Sequence, residues 1–64
     1  MFEKGNLVYV KPHAWPGKNC TGGVGHVVET FMDEDGDRLY CVKYVIGATE
    51  RDIEAEYVSP YSFH

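Results

Sequence analysis

The sequence lacks long apolar runs. No stretch approaches the roughly 20 apolar residues of a membrane-spanning helix, and the first five residues do not form the apolar core of a secretory signal. Cysteine is scarce as well, because Cys20 and Cys41 are the only two and they have no Cys-x-x-Cys spacing. These absences predict an intracellular protein with reduced thiols and no membrane partner. A disulfide between Cys20 and Cys41 is the alternative.

Basic residues are also few. Six Lys and Arg against ten Asp and Glu give a formal net charge of −4. Proteins that bind nucleic acids neutralise phosphates with clustered cations, so this balance argues against a nucleic-acid partner and favours a basic one. The 64 residues predict a single domain over residues 1–64, too small for a deep cofactor pocket and expected to be a piece of a longer protein.

Metal-binding and catalytic patterns are missing. No pair of histidines or cysteines has the spacing of a zinc site, and the acidic segment 33–37 lacks the length of a calcium-binding loop. A pairing of Cys41 with His26 across strands would still need an oxyanion hole and an orienting acid, and the sequence shows neither. We therefore expect no enzyme activity, no metal and no cofactor.

Helical periodicity is absent too, and glycine and proline recur every few residues, which predicts an all-β chain. Asp35-Gly36 is a residue pair that tight hairpin turns prefer. Residues 12–23 predict a long loop without strand pairing, and Glu56–Val58 a short helical turn before the last strand. The predicted strands are Leu7–Val10, Val24–Phe31, Arg38–Ile46, Glu50–Ala55 and Ser59–Tyr61. Five short strands in so small a chain favour a partly open barrel.

Alternation in the third predicted strand separates two faces of the sheet. One face would carry Tyr40, Val42, Tyr44 and Ile46, and the other would carry Leu39, Cys41, Lys43 and Val45.

Short motifs follow one another along nearly the whole chain. They are Gly5, Val8, Val10, Trp15-Pro16-Gly17, Gly25-His26-Val27, Tyr40-Cys41-Val42-Lys43-Tyr44, Glu50 and Tyr57-Val58-Ser59-Pro60. Their order resembles the Tudor domains of chromatin-associated proteins. The resemblance implies a Src-homology-3-like five-stranded barrel that reads methylated lysine or arginine on histone tails through an aromatic cage. Methylated ammonium groups are attracted to aromatic faces by about 0.5–2 kcal/mol per contact.

The resemblance assigns the cage residue by residue. Trp15 matches the aromatic in the loop that leaves the first strand, and Tyr44 matches the aromatic at the end of the third strand. Two other family positions are not matched, because Gly22-Gly23-Val24 stands where a second-strand aromatic is common and Val45 to Ala48 where an acid is common. Tyr9 and Tyr40 are further candidate ligand-binding aromatics, with packing in the core as the alternative role.

Carboxylates cluster in the predicted hairpin turn. Asp33, Asp35 and Asp37, together with Glu34, predict an attractive wall for a basic peptide, and a solvated turn is the alternative. A second acidic set follows in the chain and consists of Glu50, Asp52, Glu54 and Glu56. Two acidic patches that flank a groove would speed association with a basic ligand.

The sequence therefore predicts a non-catalytic binding module for a basic peptide, methylated or unmodified, such as a histone tail. A generic Src-homology-3-like domain that binds an unmodified segment or a neighbouring domain is the first alternative. Nucleic-acid binding through stacked aromatics, and a role as a subunit of an enzyme or photosynthetic complex, are further ones.

Overall fold

The computed structural model describes residues 2–15 and 18–62, and only the backbone of Trp15 and Lys18. It is mostly β. The strands are β1 (Leu7–Val10), β2 (His13–Trp15), β3 (Lys18–Cys20), β4 (Gly23–Met32), β5 (Arg38–Tyr44), β6 (Thr49–Glu54) and β7 (Val58–Pro60). A single 3-10 turn, Ala55–Tyr57, joins β6 to β7. The predicted all-β class is confirmed, and so is the short helical turn before the last strand, which begins one residue earlier than expected.

Five strands form one antiparallel sheet in the order β6-β5-β4-β1-β7. The last strand lies beside the first, with Tyr9 opposite Ser59. Strands β2 and β3 form a separate two-stranded sheet. The described residues show no closed barrel.

Strands β2 and β3, which we call the arm, occupy a segment that the sequence predicted to be an unpaired loop. That prediction was wrong, because Ala14 pairs with Asn19 in a local antiparallel ladder while Pro12 lies outside it. Gly22, with φ +71°, then returns the chain to β4 beside the carbonyl of Val10. A β-carbon at Gly22 would lie 2.8 Å from the Pro12 nitrogen, so this return requires glycine.

Strand β5 ends at Tyr44, two residues before the predicted end. The Tyr44 N–H donates to the Ala48 carbonyl at 2.8 Å, and the Gly47 N–H donates to the Tyr44 carbonyl at 2.9 Å. These bonds close a tight turn in which Gly47 has φ +101°. The prediction that Val45 and Ile46 continue the two strand faces was therefore wrong, and both side chains are exposed.

The hairpin turn between β4 and β5 lies where Asp35-Gly36 predicted it. Its connection spans residues 33–37, with Gly36 at φ +83°. The Asp33 N–H donates to the Asp37 carbonyl at 2.9 Å and closes the base of the turn. We call residues 33–37 the acidic turn.

The core lies on one face of the five-stranded sheet. Its fully buried side chains are Val8, Val10, Val27, Tyr40, Val42 and Ile53. Phe2 packs edge-on against Tyr40, with ring centroids 5.6 Å apart. Both cysteines are buried and free, so the structure contains no Cys20–Cys41 disulfide.

Candidate functional site

Two of the predicted ligand-binding aromatics are core residues. Tyr40 is 1% exposed and Tyr44 is 3% exposed. Both alternate onto the face of β5 that carries Val42, and this face is the one that packs into the core. The Tyr40 hydroxyl accepts the Phe2 N–H at 3.1 Å. Neither ring therefore offers a face to a ligand, which corrects the assignment of both residues to a binding surface.

The Tyr44 hydroxyl belongs to a buried polar cluster with Cys20 and Glu50. It lies 3.7 Å from the Cys20 sulfur. Burial raises the pKa of the Tyr44 phenol, and hydrogen bonding to Cys20 and Glu50 raises it further. Burial likewise raises the pKa of the Cys20 thiol. Both groups are therefore neutral at physiological pH, and the cluster attaches the end of the arm to β5.

The remaining predicted aromatics lie outside the core or outside the described side chains. Tyr9 is 38% exposed on the side of β1 that faces away from Val8 and Val10. The backbone of Trp15 pairs with Lys18 in the arm, and its side chain lies outside the described part of the chain. The predicted pairing of the Trp15 and Tyr44 rings is therefore not shown.

The acidic turn is organised by its first carboxylate. Asp33 Oδ1 accepts the backbone N–H of Asp35 at 2.9 Å and that of Asp37 at 2.8 Å. One carboxylate oxygen from each of Asp33, Asp35 and Asp37 can lie within 4.8 Å of the others. The turn thus holds a compact negative charge at one end of β4 and β5.

A cleft of about 220 Å³ lies where the acidic turn meets the end of β6. We call it the acidic cleft, and it is lined by Asp37, Arg38, Glu54, Ala55 and Glu56. The cleft brings together members of both acidic sets that the sequence predicted to flank a groove. The pairing of β5 with β6 positions Glu54, which lies opposite Leu39 at the end of β6. Glu56 follows two residues later in the 3-10 turn.

The carboxylates of the acidic cleft are crowded. Desolvation raises the pKa of Glu54, as do a hydrogen bond to Glu56 and the charges of Glu56, Asp37 and Asp33. The one cation of the lining, Arg38, donates from Nη1 to Thr30 Oγ1 at 3.0 Å. Its Nε is buried without a hydrogen-bond partner. The negative charge of the cleft is therefore only partly compensated by its own lining.

A stacked aromatic pair includes Tyr57 of the 3-10 turn, the turn that contributes Ala55 and Glu56 to the acidic cleft. The rings of His13 and Tyr57 lie parallel, 6° apart in angle, with centroids 3.6 Å apart. His13 Nδ1 lies 2.6 Å from the Lys11 carbonyl, and Nδ1 must donate there because a carbonyl only accepts. Desolvation raises the pKa of the Tyr57 phenol, as do the nearby carboxylates of Glu56 and Glu54. Both rings are half-buried, and their stack joins the arm to the 3-10 turn.

Sequence reasoning missed three residues of this surface. They are His13, Tyr57 and Arg38, and no sequence pattern assigned a ligand-binding role to any of them. The stack depends on the arm folding back onto the 3-10 turn, and no periodicity in the sequence indicates such a contact. A polar aromatic beside two glutamates, as in Glu54 to Tyr57, was the one signal that could have found Tyr57.

The fold and the site define a small, mostly β protein with an acidic cleft beside a stacked histidine and tyrosine. Protein-family models, curated proteins and solved structures provide no match to this chain. Among the described residues, none of the helices has the length and apolar character needed to cross a bilayer.

Proposed function

We propose that this protein is a non-catalytic binding module for a basic peptide and that the acidic cleft receives a lysine or arginine side chain. The main support for this proposal is the set of carboxylates that lines the cleft. Asp37 from the acidic turn meets Glu54 and Glu56 from the β6 end around a single cleft. These carboxylates come from separate segments, so folding brings together negative charges that lie far apart in the sequence.

Electrostatics supports a cationic occupant. The raised pKa of Glu54 shows that its ionised form is disfavoured in the free protein. A cation in the cleft would favour the ionised form and relieve the repulsion among Glu54, Glu56 and Asp37. A contact between unit charges 4 Å apart is worth about 1 kcal/mol in water and about 4 kcal/mol near a protein surface. The same field would accelerate the encounter with a basic chain.

The stacked pair adds aromatic surface next to the charge. A cation over an exposed ring gains about 0.5–1 kcal/mol, and methylation of the cation is compatible with this attraction. Tyr57 follows Glu56 in the 3-10 turn and stacks on His13, and the backbone of Trp15 follows His13 by two residues in β2. We include Trp15 in the proposed surface as an aromatic contact for flanking residues of the peptide.

A Tudor-like or other Src-homology-3-like barrel is the fold that we propose for the module. The first strand, β1, lies beside the last strand, β7, and β4, β5 and β6 pair antiparallel in chain order. A 3-10 turn precedes β7. These features support the family resemblance in the motif order. A histone tail in the nucleus is the corresponding partner and location within this proposal.

An unmodified basic segment, from a partner or a neighbouring domain, is the second candidate ligand. The burial of Tyr40 and Tyr44 favours it, because a cage for methylated lysine needs several exposed rings and two predicted ones are in the core. Charge recognition by the acidic cleft does not depend on methylation.

The proposal is tested by measuring the affinity of a fluorescent lysine- and arginine-rich peptide by anisotropy at low ionic strength. We expect Glu54→Gln combined with Glu56→Gln to weaken binding about tenfold, which corresponds to about 1.4 kcal/mol. Asp52→Asn is the matched control, because it also removes an exposed carboxylate of β6 but does not line the cleft. Equal loss in the control, or no binding by the wild type, would contradict the proposal.

A further inference from the structure

The exposed apolar side chains of the described residues fall into two patches. Tyr9 and Tyr61 lie in one of them, at 38% and 37% exposure. The Tyr61 N–H donates to the Leu7 carbonyl at 3.3 Å, so the two tyrosines flank the β1–β7 pairing. Val24 lies opposite Tyr9 on β4. We call Leu7, Tyr9, Val24 and Tyr61 the tyrosine face.

The tyrosine face continues into the turn after β5. The Val45 N–H donates to the Val24 carbonyl at 3.0 Å, and Val45 and Ile46 are both exposed. Four of the five exposed large apolar side chains thus lie in or next to this face. A contiguous exposed patch of this kind marks an interaction surface more often than scattered single residues do.

Lysines border the tyrosine face. Lys43 lies opposite His26, and His26 lies opposite Leu7. Lys11 follows Tyr9 by two residues and is exposed. The cross-strand rows Lys43–His26–Leu7 and Val24–Tyr9–Ser59 contain no carboxylate. The rim of this face therefore carries lysines in a chain whose net charge is −4.

The second patch has the opposite character. Met32, at 58% exposure, is the last residue of β4 and directly precedes the acidic turn. We call Met32 and the acidic turn the methionine knob. The tyrosine face includes Val24, near the other end of the same ten-residue strand.

We propose that the methionine knob of one copy docks on the tyrosine face of a second copy. An apolar side chain with an acidic rim meets an aromatic surface with a basic rim, so the two surfaces match in apolar character and are opposite in charge. A methionine sulfur beside an aromatic ring contributes about 0.3–1.5 kcal/mol, and the charged rims add a salt-sensitive attraction. Because the two surfaces differ, the contact is head-to-tail and extends from copy to copy.

Sedimentation equilibrium of the full chain tests the proposal. At an ionic strength of about 0.01 M, where charges act over about 30 Å, the average mass should rise with protein concentration. At about 1 M, where they act over about 3 Å, association should weaken at least tenfold. A monomer at every concentration in low salt would overturn the proposal.

Complementation of two variants identifies the surfaces. Met32→Lys removes the knob and leaves the tyrosine face, whereas Lys43→Glu alters the basic rim and leaves the knob. Each variant alone should remain monomeric. Their equimolar mixture should form a dimer that cannot grow, since one intact knob meets one intact face. Self-association of either variant at the wild-type level, or no dimer in the mixture, would overturn the assignment.

Two controls separate docking from folding. Both substituted side chains are exposed, so the circular dichroism of Met32→Lys and Lys43→Glu should match the wild type. Asp52→Asn removes a carboxylate outside both surfaces and should leave the association constant unchanged. A loss of association in Asp52→Asn equal to that in Met32→Lys would show that total charge, rather than the knob, controls assembly.

Discussion

At the scale of single residues, Val42 shows most simply what holds the molecule together. It is fully buried in the middle of β5, opposite Val27 on one side and Glu50 on the other. Val42→Ala should lower the free energy of unfolding by about 2–3 kcal/mol, because the cavity forms where neighbouring strands cannot close it. Urea denaturation measures this loss, and an unchanged midpoint would show that the core lies elsewhere.

Glu54 provides a second prediction at this scale, for pH dependence. Its pKa is raised in the folded protein, so the native state holds its proton to a higher pH than the unfolded chain does. Stability should therefore fall as pH rises from the ordinary carboxyl pKa through the raised one. Glu54→Gln should remove the loss of stability that ionisation of Glu54 causes. Above the pH range of that ionisation, Glu54→Gln should be more stable than the wild type.

Urea midpoints of the wild type and Glu54→Gln, compared at about pH 4 and about pH 7, measure the effect of this carboxyl. The two proteins should differ more at the higher pH. A wild type that is more stable than Glu54→Gln at neutral pH would mean that the Glu54 carboxylate is favourably partnered, which contradicts the crowding in the acidic cleft.

At the scale of elements, β4 and β5 approach closely at Gly25. A β-carbon there would meet the Lys43 carbonyl and lie 2.8 Å from the Tyr44 α-carbon. Gly25→Ala should therefore destabilise the fold by about 1–3 kcal/mol through overpacking. Gly36→Asn is the matched control, since asparagine tolerates positive φ and the turn has open space there. Equal thermal midpoints for the wild type and Gly25→Ala would refute the close approach.

Some strands and turns can be predicted from the sequence and others cannot. The turn at Asp35-Gly36 was predicted because positive φ is a local requirement that the residue pair itself satisfies. The arm was not predicted, because strands of three residues are too short for alternation to be recognised. The end of β5 was placed too late because Val45 and Ile46 have strand-forming side chains, although backbone bonds of Tyr44 close a turn there.

At the scale of the whole molecule, charge is segregated rather than averaged. Carboxylates of the acidic turn and the β6 end line one cleft, while Lys43 and Lys11 border the tyrosine face. The two acidic sets were recognisable in the sequence because each is a dense local run, and the acidic cleft is lined by members of both. The sequence could not show that Tyr40 and Tyr44 lie in the core, because alternation defines two faces of a strand but does not indicate which face is buried.

Mapping a basic peptide onto the protein by two-dimensional NMR tests the central claim most directly. Unmodified and trimethylated lysine versions of one peptide are titrated into isotope-labelled wild-type protein, and a version with glutamate in place of lysine is the control. Binding at the acidic cleft should give amide shifts centred on Asp37 and residues 54–57, with both lysine versions and not with the control. Shifts confined to other surfaces, or none with either lysine version, would contradict it.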